Sequence, residues 1–260
     1  MKVYTLCRQI KDEYLSYQVA FVINFLVCYS LMKIMSWKTN GDSSDQKLLK
    51  RFIFSPYLSV RSLSYHPGTD SSKIIRFILF LFLTLFSVVL AHHYLAPMSF
   101  LDIWIFSPGI YFFTETVGAF GQLLFSKQPT YPIHRKPLHA HSLSNFWGRD
   151  WNLWVQDWLR DISQGGAKRK KGRIIIVFLI SGLFHELMTN LPYWIIYKKS
   201  YFGTMMAYFF IQAMALWIDK KYVRHWPVIF RRIYLWAVVI GPSPLFINVP
   251  LLTFFGLKHG

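Results

Sequence analysis

The residues best suited to chemistry are His185 and Glu186, set inside the apolar run RIIIVFLISGLFHELMTN, and Asn152, upstream in SNFWGRDWN. A neutral imidazole at membrane depth can take a proton from a hydroxyl, provided a cavity brings the hydroxyl to it. Polar groups are expensive there, so they are read as functional by default. Ser181 and Gly182 thin the helix beside His185 and let a ligand or another helix approach. A histidine that only hydrogen-bonds a neighbouring helix for packing fits the same residues, and both readings stay open. The Asn152 amide can position an acceptor or donate to a developing oxyanion. Taken alone, it is more simply part of a solvated polar face.

Other constellations are incomplete. HELMTN lacks the second histidine of a zinc-binding helix, because Thr189 stands there, and no thiolates flank it. No metal or cofactor is therefore expected. His92, His93, His134, His139 and His141 form fragments of the histidine boxes of di-iron membrane desaturases, without the full set. Cys7 and Cys28 make no plausible disulfide framework. No Gly-rich phosphate loop, dinucleotide fingerprint or nucleophile elbow is present. Glu115, between Thr114 and Thr116, reads equally as a cavity group or a packing group.

These residues need a scaffold, and the composition says which kind. Of 260 residues, 53% are hydrophobic and only 16% charged, with the apolar residues in long runs, which favours a membrane-embedded chain. Residues 14–36, 74–96, 100–125, 174–197, 201–218 and 233–254 are candidate spans, about six in all. The first is interrupted by Asn24 and Lys33, and the last is broken by Gly241-Pro242-Ser243-Pro244. Arg76 lies near the end of its span, where it can snorkel. Between spans, residues 37–73 read as a surface loop with a short interfacial helix near 48–58. Residues 144–162 place Trp147, Trp151, Trp154, Trp158 and Ile162 on one face of an interfacial or re-entrant helix. The formal charge is +17, and the basic residues fall between the apolar runs, as topology signals and headgroup contacts rather than a nucleic-acid face. The basic segments 37–73, 126–173 and 219–232 then share the cytosolic side, with both termini opposite. The polar residues 1–13 give no sign of a cleavable signal peptide.

Together, NFWGRDWN and ISGLFHEL resemble the FWGRRWN and SGLxHE signatures of the wax-synthase-like branch of the membrane-bound O-acyltransferases. The two motifs and their linker cover about a fifth of the chain, in the family's order. The resemblance implies acyl transfer from acyl-CoA to the hydroxyl of a lipophilic alcohol inside a membrane tunnel. It assigns the general base to His185 and an orienting role to Asn152. Trp147, Arg149, Trp151, Ser181 and Glu186 are the implied substrate contacts. Acyl-CoA is a co-substrate, so no cofactor is needed, and no covalent intermediate is required. The runs Lys168–Lys171 and Lys220-Lys221 have a secondary role open to them, in attracting coenzyme A phosphates. Asp150 departs from the signature, which usually has a second Arg there, and the chain is short for the family.

The expectation is thus an all-α, multi-pass transmembrane bundle of about six spans plus a Trp-rich amphipathic helix. Residues 1–260 form one integral-membrane domain with its core at about 74–254. Its partners are acyl-CoA, an alcohol acceptor and the bilayer, with no nucleic acid. The membrane is the endoplasmic reticulum in a eukaryote or the inner membrane in a bacterium. A di-iron desaturase or hydroxylase, and a non-catalytic membrane binding or transport protein, are the alternatives.

Overall fold

The computed structural model describes residues 2–41, 45–64, 73–94, 102–124, 131–163 and 173–258, with backbone alone for 2–14, 64, 163 and 173. Residues 42–44 and 65–72 of the expected surface loop, the basic run 168–171 and the Cys7 side chain lie outside that description. Every element among the described residues is helical: α1 (Lys2–Asn40), α2 (Gln46–Ile53), α3 (Lys73–Tyr94), α4 (Asp102–Leu124), α5 (Leu143–Asn145), α6 (Leu153–Ser163), α7 (Arg173–His185), α8 (Leu191–Tyr197), α9 (Thr204–Lys221), α10 (Val228–Ile240), α11 (Ser243–Phe246) and α12 (Val249–Phe254). A π-helical turn, Glu186–Asn190, joins α7 to α8 without ending the helix.

Among the described residues, four helical stretches are long and apolar enough to cross a membrane: Leu15–Asn40, Lys73–Tyr94, Ile174–Tyr197 and Val228–Phe246. Their outer faces are apolar. Ile75, Ile78, Phe82, Leu85 and Val89 of α3, and Val19, Ile23 and Leu26 of α1, all face outward. Such a surface is an aggregation liability in water and an ordinary one in lipid. The expected spans 100–125 and 201–218 form α4 and α9. The expected span 233–254 does not form one helix. Pro242, Pro244 and Pro250 each remove a backbone donor, and the chain divides into α10, α11 and α12.

The polar interruptions of α1 are satisfied. Lys33 Nζ donates to the carbonyls of Phe52 (2.7 Å), Ile53 (3.2 Å) and Ser55 (2.7 Å), which caps the C-terminal end of α2. Asn24 donates to the Leu187 carbonyl inside the π-turn. Such turns displace backbone groups from the regular ladder, and a side chain from a neighbouring helix takes one up here. Arg76 does not snorkel. It pairs with buried Glu115 across α3 and α4 at 2.6 Å, which compensates a carboxylate in the bundle interior.

The Trp-rich stretch is the main correction. Residues 144–162 do not form one amphipathic helix. Phe146–Asp150 make a π-helical turn, Trp151 is extended (φ −104°, ψ 131°), and Asn152 adopts a left-handed φ of 43° before α6 begins. The tryptophan stripe is split by this break. Trp154 and Trp158 pack with Phe52, Tyr57 and Tyr131, whereas Trp147 and Trp151 pack with Phe146, Phe178 and Phe209. Carbonyls of the turn are taken up by α6: Gln156 donates to Trp147 O (2.6 Å) and Arg160 to Gly148 O (3.1 Å). Acidic residues of α6 dock it on the rest of the bundle. Asp161 accepts from Ser36 and Ser59 (2.6 Å each) and pairs with Arg61 at 2.8 Å.

Helices α7 and α9 pack closely because Gly182 lacks a side chain. A Cβ there would lie 2.9 Å from Met206 Sδ and 3.2 Å from Met206 Cα. Gly182→Ala is expected to force the backbones apart and cost about 1–3 kcal/mol, as overpacking does. A lower thermal unfolding midpoint in detergent is the check.

Candidate active site

Between α4, the 143–152 segment, α6, α7, α9 and α10 lies a cavity of about 570 Å³. Its wall is mostly aromatic and aliphatic, and His185, Asn152, Ser181, Trp147 and Trp151 all reach it. Two residues expected to touch substrate do not line this cavity. Arg149 is exposed on the π-turn, facing away from the cavity. Glu186 is buried behind it, where Oε1 accepts from the backbone N–H of Gly203 (2.9 Å) and Met206 (3.0 Å). Oε2 accepts from Asn190 Nδ2. Those N–H groups belong to the start of α9, where orphan donors await an acceptor.

The tautomer of His185 follows from its partner. Nδ1 lies 2.7 Å from the Ser181 carbonyl, which can only accept, so Nδ1 carries the proton. Nε2 then holds a bare lone pair, with no hydrogen-bond partner among the described residues. The ring is held between Phe209 (centroids 4.7 Å apart) and Phe246 (5.3 Å). It keeps accessible surface although aromatic rings enclose it, and that surface is cavity wall. An oriented neutral imidazole in an apolar cavity is fit to be a general base.

Asn152 has a second duty. Its Oδ1 accepts from Val155 N (3.3 Å), capping α6, and its side chain borders the cavity at the same point. Trp147 Nε1 donates to Gln212 Oε1 (3.1 Å), and Gln212 Nε2 donates on to Val238 O (2.8 Å), which fixes the indole against α9 and α10. Two basic residues, Arg160 and Lys220, are among those that line the cavity, and Arg160 is paired with Asp157 at 3.1 Å. Ser107, Pro108 and Ser243 also line it.

Sequence reasoning missed His134 as a member of the site, weighing it only as a fragment of an iron box. It is buried, stacks on Trp151 with centroids 4.2 Å apart, and uses both ring nitrogens. Nδ1 accepts from the Asn152 N–H (3.0 Å), and Nε2 lies 2.9 Å from Thr114 Oγ1. Burial first, and the Arg76 charge second, hold it near a pKa of about 3, far below the ordinary 6.5. The folded protein therefore refuses a proton that the unfolded chain accepts below pH 6.5. The stability this group contributes is complete above that pH and drains as pH falls toward 3. A loss of about 1 kcal/mol is expected between pH 7.5 and 5.5, and His134→Asn should flatten that part of the curve. Thermal unfolding at graded pH measures it.

The family comparison falls on this same region. Residues 130–212, which contain His134, Asn152 and His185, match the model of the membrane bound O-acyl transferase family. Over these residues the chain is similar to the membrane bound O-acyl transferases. Its similar relatives are plant proteins. One is probable long-chain-alcohol O-fatty-acyltransferase 6 of Arabidopsis thaliana, 32% identical over 37% of this chain and 31% of the relative. Probable long-chain-alcohol O-fatty-acyltransferase 9 of the same plant is 41% identical over 22% of this chain and 20% of the relative. The long-chain-alcohol O-fatty-acyltransferase of Simmondsia chinensis is 38% identical over 22% and 19%. The matched stretches thus span between about a fifth and a third of these relatives. Within the matched segment, the two motifs are the two that carry π-helical turns, Phe146–Asp150 and Glu186–Asn190. Such turns occur often at functional sites, because they re-aim side chains that a regular helix would direct elsewhere.

Proposed function

We propose that this chain transfers an acyl group from acyl-CoA to the hydroxyl of a long-chain, lipophilic alcohol, releasing an ester and free coenzyme A. The observation that carries the reading is the bare Nε2 of His185 on the wall of an apolar cavity, within the matched segment. The relatives' names supply the substrate class.

In this mechanism the alcohol lies along the aromatic wall with its hydroxyl at His185 Nε2. The imidazole takes the hydroxyl proton as the oxygen attacks the thioester carbonyl. The tetrahedral intermediate collapses, the C–S bond breaks, and the thiolate takes the proton back from the imidazolium. The Ser181 carbonyl holds the ring in its base-competent tautomer and stabilises the imidazolium. Asn152 orients the thioester from the wall. Arg160 and Lys220, which line the cavity and which the distribution of Lys and Arg puts toward the cytosol, favour the donor phosphates. The membrane is that of the endoplasmic reticulum if the chain is eukaryotic.

Membranes containing the protein, given a panel of acyl-CoAs and alcohols of graded length, test the reading by product analysis. An ester that depends on both substrates and on the protein is expected. Absence of ester across the panel removes the proposal.

A further inference from the structure

Asn152 sits at a chain break, in a left-handed conformation that only Gly adopts freely. Something must hold it there, and the structure supplies a brace. Residues 133–135 lie against residues 150–153 and make three hydrogen bonds in succession. Arg135 N donates to Asp150 O (3.0 Å), Asn152 N donates to His134 Nδ1 (3.0 Å), and Leu153 N donates to Ile133 O (2.7 Å). The outer two are backbone to backbone. The middle one reaches the backbone of Asn152 through an imidazole.

The brace is itself anchored on α4. His134 Nε2 faces Thr114 Oγ1, and that hydroxyl donates to Tyr111 O (2.9 Å). Ile133 presses on Gly118, where a Cβ would lie 2.5 Å from Ile133 Cγ2. Tyr131 O takes both Gln122 Nε2 (3.0 Å) and Trp154 Nε1 (2.9 Å).

The roles of the His134 nitrogens are fixed by their partners. A backbone N–H can only donate, so Nδ1 is bare and accepting, and the ring proton sits on Nε2 toward Thr114. Neither nitrogen is left for proton transfer, and the ring is packed on Trp151 and Tyr111.

We infer that His134 is a positioning residue for acyl transfer: it holds the Asn152 backbone in its left-handed turn and so aims the Asn152 side chain at the cavity. The inference rests on the assignment of Asn152 and His185 to the reaction. It adds a third residue to Asn152 and His185, in a role that needs no proton transfer. Misplacement of a positioned group by about 1 Å costs on the order of a hundredfold in rate, so the brace has leverage over turnover.

The test uses the isosteric relation between His and the two amides. Asn at position 134 places an acceptor where Nδ1 was. Gln places its amide nearer the Nε2 position and leaves the Asn152 N–H unpaired. His134→Asn is expected to keep turnover within about threefold of wild type, and His134→Gln to lower kcat by about 10- to 100-fold with a smaller change in KM. The two should have similar pH profiles. His134→Gln combined with Asn152→Ala should lose no more than Asn152→Ala alone, since both act through one side chain. Additive losses, or equal turnover in His134→Gln and wild type, overturn the inference.

Amide hydrogen exchange at residues 151–153 gives a readout independent of activity. Faster exchange in His134→Gln but not in His134→Asn is expected. Equal exchange in all three proteins overturns the inference even if catalysis is confirmed. If the wild type makes no ester from any substrate pair, the catalytic reading falls, and exchange alone then decides whether His134 holds the turn.

Discussion

His185→Ala is expected to lower ester formation by about a hundred- to ten-thousandfold, the range that a positioned general base supplies, while leaving the protein folded. The two halves of that expectation have separate grounds. The loss follows from the removal of the bare Nε2, for which the described cavity wall offers no second histidine. Folding survives because, among the described residues, the ring's polar contact is to its own helix: Nδ1 bonds Ser181 O, one turn back. What is lost in packing is the ring's contact with Phe209 and Phe246, on the rim of an existing cavity. Ester formation, thermal unfolding and size-exclusion behaviour, measured on the same preparation, check both halves. Unchanged turnover would take His185 out of the mechanism.

Glu186→Ala has the opposite signature. It is expected to cost the fold first. The carboxylate is buried and takes up Gly203 N, Met206 N and Asn190 Nδ2 together. Hydrogen bonds to a charged group contribute about 1.5–3 kcal/mol each, and removing the acceptor strands buried donors at the start of α9. A loss of about 4 kcal/mol or more is expected, visible as poor yield and aggregation in detergent. Glu186→Gln should fall between. It keeps one oxygen for the backbone donors but turns an amine toward Asn190 Nδ2. Asn190 cannot flip to accommodate it, because its Oδ1 already accepts from Asn248 Nδ2 (2.9 Å). A well-folded, inactive Glu186→Ala protein would return Glu186 to the chemistry.

The contrast between these neighbours shows what the sequence can carry. His185 and Glu186 are adjacent in one motif, and both looked like site residues. On a helix, adjacent residues point about 100° apart, so one meets the cavity and the other meets α9. Which does which depends on where α9 packs, and that is set by Gly182 against Met206. The apolar runs and the all-helical architecture were legible because run length alone requires them. The tryptophan stripe was misleading for an equally physical reason. Spacing by three or four predicts one face only if the helix is continuous, and the left-handed turn at Asn152 interrupts it. Asn is among the residues that tolerate that conformation, but its presence does not announce it. His134 left no periodic trace at all. It lies in a loop, and its partners, Thr114 and Asn152, are distant in sequence. Polar residues inside apolar runs proved easier to read in hindsight: Lys33, Asn24, Arg76 and Glu115 all mark places where one helix satisfies another.

The central claim is direct transfer, with His185 activating the alcohol and no acyl group resting on the protein. Purified protein incubated with a single labelled acyl-CoA, first without and then with a long-chain alcohol, tests it most directly. Intact-protein mass, free thiol and ester are followed together. No acyl adduct and little thiol are expected before the alcohol is added, then thiol and ester in equal amounts, both lost in His185→Ala. A stable acyl-protein adduct formed from acyl-CoA alone and discharged by alcohol would contradict it.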